Sequence, residues 1–421
     1  MARLLDRPSF PARRSLSDRR SLTVLLSVFA ALSLAAYLVI RTLAHPTMID
    51  MIVYRAEGLA VLHGHDLYGT VDIGTAGGNQ LPATYPPFAA MLFAAISWIP
   101  VGALKVLVTA ANIALLATVV HLAAKLVGGW MDRPAFAERW ALIAAVTGLG
   151  LWFEPVWTTL RYGQINLALV ALILFDLTRP ATSKWPRGLG IGLATGIKLT
   201  PGIFILWFLL AGRRREAIVS ALGALGTTVV GFAVLPHASV KFWLHEVWDT
   251  SKVGKTYITD NQSLSGMLAR VTHIDDPKAL WAVAAVIVLA AGLWVAARIA
   301  KAGDAALGAL ACAVTGLLIS PISWSHHWVW AVPVAMLLAV RAPKIAVAWC
   351  AVFLSFLIWA VPHKVSGPSP AMNPLQMLLS SLYPLAGLAF LVWAWRESTR
   401  AQPVEASYRR SILAGTPPTM A

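Results

Sequence analysis

The feature that most constrains this chain is a succession of apolar runs long enough to cross a bilayer, the first of which, residues 22–43, follows six arginines within residues 3–20. About 20 residues rising about 1.5 Å each cover the hydrocarbon core of a membrane. Further apolar runs lie near 101–125, 140–157, 164–178, 188–211, 217–235, 279–300, 305–322, 327–341, 345–361 and 376–395. The chain therefore reads as an integral membrane protein. Its composition agrees: 58% of the 421 residues are apolar, 13% are charged and the mean hydropathy is +0.69, outside the range of soluble domains. The 18 Trp and 14 Phe exclude a disordered chain. Cys312 and Cys350 both fall inside apolar runs and read as small core residues rather than a disulfide.

The net charge of +15 suggests nucleic acid until the positions of the positive residues are considered. They lie between the apolar runs, which is an orientation signal. Clusters at Lys125/Arg133/Arg139, Arg179/Lys184/Arg187, residues 213–215, Arg298/Lys301, Arg341/Lys344 and residues 396–410 place those connections in the cytoplasm. Segments 44–85, 158–165, 236–278, 323–326 and 362–375 then face outward. The first run is too long for a cleaved signal peptide and reads as a retained helix. Residues 86–100 are too short to cross and are assigned to the outer interface. Segment 188–211 is basic at both ends and broken at Gly196-Ile197-Lys198-Leu199-Thr200-Pro201, which predicts two short helices, one up and one down, meeting near Lys198. The expected fold is all-α, with about 12 transmembrane helices and short outer-face interfacial helices. One transmembrane domain, 21–396, carries outer loops at 44–100 and 236–278, between cytoplasmic tails at 1–20 and 397–421.

Polar residues collect in the outward segments, where they are costly unless they line a wet cavity or bind something. A coupled transporter is expected to keep ionisable groups at mid-membrane in two related halves. This chain has no such internal repeat, which favours an outward-facing active site. A lipid-linked-sugar transporter or flippase is the competing reading.

The ordered set Asp50-Met51-Ile52-Val53-Tyr54, Leu67-Tyr68-Gly69, Thr84-Tyr85-Pro86-Pro87-Phe88, Tyr162-Gly163-Gln164-Ile165-Asn166, the Lys198 break, Asn261-Gln262-Ser263 and Ser320-Pro321-Ile322-Ser323-Trp324-Ser325-His326-His327-Trp328-Val329-Trp330 resembles family 87 of the membrane glycosyltransferases. The resemblance implies the GT-C fold and an inverting α-1,2-mannosyltransferase of the plasma membrane, with its active site on the extracytoplasmic face. The implied donor is polyprenyl-phosphate-mannose. The implied acceptor is a phosphatidylinositol mannoside or the mannan of lipomannan or lipoarabinomannan. The same fold with another polyprenyl-phosphate sugar, such as arabinose, is an alternative.

Inversion needs a base for the acceptor hydroxyl and cations at the departing phosphate. The resemblance assigns the base to Asp50, which is also a good N-cap for a helix over residues 51–62. Lys198, Arg161, His326 and His327 are the candidates for the donor phosphate, with His326 favoured over His327 to face the site. Snorkelling is the competing account of Lys198, but Gly196 and Pro201 open the backbone beside it and favour the phosphate role, while lipid headgroups are an equally good partner for Arg161. Tyr54, Tyr85, Gln164, Asn166, Asn261, Gln262, Trp324 and Glu57 are the candidates for sugar or acceptor contacts. Capping and helix-to-helix bonds compete for the amides, and pairing with Arg55 competes for Glu57. Adjacent histidines with no third ligand at helical spacing do not make a zinc site. The resemblance implies that a metal-dependent enzyme of this fold pairs its first acid with a closely spaced second one, which Asp50 lacks, so transfer without a metal or other cofactor is expected.

Overall fold

The computed structural model describes residues 16–72, 80–130, 136–180, 182–249, 252–361 and 372–400. Most of both tails and of the 362–375 segment, and residues 73–79 of the first loop, lie outside these. The described residues form α1 (Leu16–Ala44), α2 (Ile49–His63), the strands β1 (Thr70–Asp72) and β2 (Gln80–Pro82), α3 (Pro87–Ser97), α4 (Val101–Val127), α5 (Phe136–Gly150), α6 (Glu154–Tyr162), α7 (Asn166–Thr178), α8 (Leu189–Ile197) and α9 (Ile203–Leu210). There follow α10 (Arg214–Val234), α11 (Pro236–Leu244), α12 (Leu264–Thr272), α13 (Lys278–Lys301), α14 (Ala305–Ile319), α15 (Ala331–Arg341), α16 (Pro343–Leu354), α17 (Pro374–Leu379) and α18 (Leu382–Arg400). The strands make a two-stranded antiparallel ribbon with Thr70 opposite Pro82, the one departure from an all-helical chain among the described residues.

Among the described residues four helices are long and apolar enough to cross a membrane, Asp18–Ala44, α4, α10 and α13, and α5 with α6 makes a fifth if that pair is one span bent by 75°. The other expected spans are shorter or interrupted. The bend has a local cause: Phe153 is extended and Pro155 sits in the first turn of α6, where proline starts a helix but cannot continue one. The run 345–361 stops at Leu354, and Phe356 takes a left-handed conformation before a 3₁₀ turn, Leu357–Ala360. Apolar side chains such as Val24, Leu32, Leu107, Val229 and Ile287 project from the long helices unburied, as lipid-facing positions do. The interior is aromatic, with Trp207, Trp328, Phe204, Phe353 and Tyr383 fully enclosed.

The broken segment at 188–211 forms the hairpin that the charge pattern predicts. Lys198 is extended (φ −147°, ψ 132°) between α8 and the 3₁₀ turn Thr200–Gly202 that leads into α9. Along α8, Gly188, Gly192 and Gly196 face Glu216, Ser220 and Thr227 of α10 in that order, so α8 runs alongside α10 in the same direction. The chain then returns through α9 to the start of α10. Arg187 and Arg213 both act on Glu216, which places the two ends of the hairpin together. Thr227 lies 13 residues from the start of α10, so the tip at Lys198 sits about 20 Å along that helix and about 10 Å short of its far end.

The small-residue stripe allows this close approach, a packing mode common between membrane helices. A Cβ on Gly192 falls 2.6 Å from the Ser220 carbonyl and 2.9 Å from the Gly223 Cα, both backbone atoms that cannot step aside. Gly192→Val is expected to push the hairpin off α10, cost about 1–3 kcal/mol or more by overpacking, and lower the thermal midpoint of the detergent-solubilised protein. An unchanged midpoint contradicts this packing.

Candidate active site

Asp50 is in the first turn of α2, but it is not the cap. The cap position is Met48, in a left-handed conformation, and no side chain bonds the first turn. The Asp50 carboxylate is instead held by the turn between α6 and α7. Gly163 ends α6 at φ 72°, and a Cβ there falls 2.7 Å from the Cβ of Met51, so only glycine lets this turn press against α2. The contact brings Gln164 to Asp50: its Nε2 donates to Asp50 Oδ2 at 2.5 Å. Tyr54 donates to Gln164 Oε1 at 2.8 Å, Tyr85 reaches the same oxygen at 3.3 Å, and the two phenols lie 2.8 Å apart. With Oε1 accepting from phenols, Nε2 is fixed toward the carboxylate, the orientation an amide adopts between donors and an anion.

Two residues further, Asn166 opens α7. Its Oδ1 accepts from Lys198 Nζ at 3.2 Å and its Nδ2 donates to the His326 carbonyl at 2.9 Å. Lys198 Nζ also lies 2.9 Å from His327 Nε2 and 5.5 Å from the centre of the Tyr85 ring, within cation–π range. Lys198 and His327 share a cavity of about 60 Å³ whose other walls include Leu169, Val170, Phe204, Leu317 and Trp330. A cation is thus held at the polar end of an apolar pocket, within electrostatic reach of Asp50.

α2 lies outside the spanning segments, yet burial raises the Asp50 carboxyl to about 6, against the lowering pull of the Gln164 donor and of Lys198. A group of that kind is a base at neutral pH that still accepts a proton readily. The acid limb of kcat/KM is therefore expected near pH 6 rather than near 4, activity falling as pH drops through it. Gln164→Leu removes a bond that favours the charged form, so its acid limb moves upward while kcat falls on the order of tenfold. A pH profile of the variant that superimposes on the unaltered protein's contradicts the role given to Gln164.

Several expectations are corrected by placement. His327, not His326, lines the cavity; the His326 ring packs edge-on against Tyr162 at 5.7 Å, with Nε2 buried and unpartnered among the described residues. Arg161 is not at the Lys198 cluster: it is exposed, with its guanidinium over the rings of Tyr162 (5.6 Å) and Trp359 (5.4 Å). Glu57 neither pairs with Arg55 nor meets solvent. Arg55 donates to the Ile99 carbonyl at 3.1 Å, and Glu57 is fully buried, its carboxyl raised to about 8 chiefly by that burial. It is out of reach of a sugar.

Asn261 and Gln262 spend their amides on the backbone. Asn261 bonds the Thr256 and Pro321 carbonyls and the Ser323 N–H, while Gln262 bonds the Thr259 and Ser380 carbonyls and the Tyr383 N–H. Both are buried: Asn261 pins the second large loop to the Ser320–His327 segment, and Gln262 pins it to the start of α18. Trp324 is half-buried, paired through its backbone with Asn261 and lying against Gly254.

One structural carboxylate was not among the nominated residues. Glu154, fully buried at the α5–α6 bend, accepts from Thr158, Ser325, Trp359 and Tyr383 at 2.6–3.1 Å. Four donors satisfy the buried anion and fix the backbone that carries the histidines. Its signal in the sequence is a lone glutamate between aromatic residues at a proline.

An apolar helical scaffold that gathers a basic carboxylate and a lysine–histidine pair beside an apolar cavity describes a membrane-embedded transferase acting on a lipid-borne group. The comparisons with known proteins agree: the profile of glycosyltransferase family 87 matches residues 83–321, and the chain belongs to that family. It is 35% identical to a polyprenol-phosphate-mannose-dependent α-(1-2)-phosphatidylinositol mannoside mannosyltransferase of Mycobacterium tuberculosis, over 78% of this chain and 80% of the relative. The protein of the same description in Mycolicibacterium smegmatis is also 35% identical, over 89% and 88%. A polyprenol-phosphate-mannose-dependent α-(1-2)-phosphatidylinositol pentamannoside mannosyltransferase of M. smegmatis is 32% identical, over 92% and 93%. No solved structure matches.

Proposed function

We propose that this chain is an inverting α-1,2-mannosyltransferase of GT-C architecture that moves mannose from polyprenyl-phosphate-mannose to a phosphatidylinositol mannoside or a related mannan. Its active site faces the extracytoplasmic side of the plasma membrane. The observation that carries the reading is the placement of Lys198 and His327 at the head of an apolar cavity, within electrostatic reach of the Asp50 carboxylate. The acceptor hydroxyl oxygen attacks the anomeric carbon, its proton passes to Asp50, and the bond from that carbon to the phosphate oxygen breaks with its electron pair leaving on the phosphate. The phosphate gains negative charge in that step, which a preorganised cation favours over the ground state. Lys198 supplies the charge and His327 orients the lysine, so the transfer runs without a metal. The apolar walls suit the first isoprene units of the carrier.

The test is a membrane assay with radiolabelled polyprenyl-phosphate-mannose and a phosphatidylinositol mannoside acceptor, followed by linkage analysis. An α-1,2 product is expected. Carrier lipid moved across vesicles with no glycosidic bond formed overturns the proposal in favour of a transporter.

A further inference from the structure

Arg161 sits where the proposed donor site does not need it. It ends α6 one residue before Tyr162, exposed, and among the described residues it makes no hydrogen bond and no ion pair. The side chain is nevertheless not loose. Its guanidinium is held by two aromatic rings, Tyr162 at 5.6 Å and Trp359 at 5.4 Å. Such cation–π contacts restrain the guanidinium while leaving it open to solvent, and its paired N–H donors suit a planar or tetrahedral oxyanion.

A chain of ring contacts separates this guanidinium from Lys198. Behind Tyr162 stands the His326 ring at 5.7 Å, then His327 at 4.9 Å from His326, and only then Lys198. Tyr162 itself is within electrostatic reach of Asp50. The cluster thus carries two cations, a half-buried lysine on the apolar cavity and an open arginine on the surface beyond Tyr162. A reaction that joins two lipid-borne molecules presents two phosphates, one leaving and one that takes no part in the chemistry.

We propose that Arg161, clamped by Tyr162 and Trp359, binds the phosphodiester of a lipid-anchored acceptor, as a subsite separate from the Lys198–His327 site of the departing phosphate. This rests on the transferase reading above. The bond is made equally in the ground and transition states, so it acts on acceptor KM rather than kcat.

The experiment compares Arg161→Ala and Arg161→Lys with the unaltered protein on three acceptors: a phosphatidylinositol mannoside, its deacylated glycerophosphoinositol form, and an alkyl mannoside that has no phosphate. Arg161→Ala is expected to raise KM about tenfold for both phosphodiester acceptors, the loss of a charge-assisted bond. KM for the alkyl mannoside and for the donor stays within about twofold. Arg161→Lys recovers part of the loss, keeping the charge without the fork. A raised donor KM, or equal losses on all three acceptors, overturns the proposal. So does a loss confined to the acylated acceptor, which marks a headgroup anchor. An unaltered protein that joins mannose to none of the three overturns the transferase reading along with it.

Discussion

Asp50→Asn is expected to abolish transfer, lowering kcat by about 10²–10⁴-fold, the usual worth of a positioned base, while binding of the donor changes little. The amide is the same size as the carboxylate and still meets Gln164, but it takes no proton from a hydroxyl. The loss should be flat across pH, because the acid limb near 6 belongs to the group that has been removed. Measurement of initial rates from pH 5 to 9, beside a donor-binding assay on the same preparation, separates this from misfolding. A variant that retains more than a tenth of the rate contradicts the assignment of Asp50 as base.

Lys198→Met carries the second large effect. Methionine keeps the unbranched stem under the Tyr85 ring and removes only the charge and its bonds to Asn166 and His327. Loss of one preorganised group at a developing anion costs on the order of 10²–10³ in kcat. Two signs identify the mechanism. KM for the donor should move less than kcat, because the phosphate is more negative in the transition state than in the bound donor. The acid limb should also rise, because Lys198 is one of the groups that lower the Asp50 carboxyl. A fall in affinity alone, with kcat and pH profile intact, identifies Lys198 as a ground-state contact and removes it from the chemistry.

Asp50 was singled out through the family resemblance, Lys198 and the Gly163–Asn166 turn because each sets a charge or a glycine in apolar surroundings, and the fold brings the three into one cluster. The hairpin was legible for a different reason: basic residues flank both ends of 188–211, and a single crossing cannot satisfy two basic ends. The partners of the polar side chains were not legible. Gln164, Asn261 and Gln262 are chemically alike, yet one bonds the proposed base and two tie loops to the backbone of distant segments, Gln262 to Ser380 across 118 positions. Residue type sets what an amide can bond, and tertiary packing alone decides what it does bond. The same limit separates His326 from His327, whose roles exchange with about 120° of rotation along one 3₁₀ turn. Helix lengths were misjudged where an apolar run contains a proline or a small left-handed turn, as at Pro155 and Phe356, because hydropathy is blind to backbone breaks.

The hairpin tip has a ceiling. Directly above Gly196, the corner made by Pro86, Pro87 and Phe88 rests on Thr227, Thr228 and Gly231 of α10 and leaves only about 10 Å³ of free space, while Tyr85 covers the ammonium itself. The cavity at Lys198 is walled by α7, α9 and α14. On the proposed reading, those apolar walls receive the hydrocarbon of a carrier already lodged in the bilayer and offer little to a donor that dissolves in water, such as a sugar nucleotide.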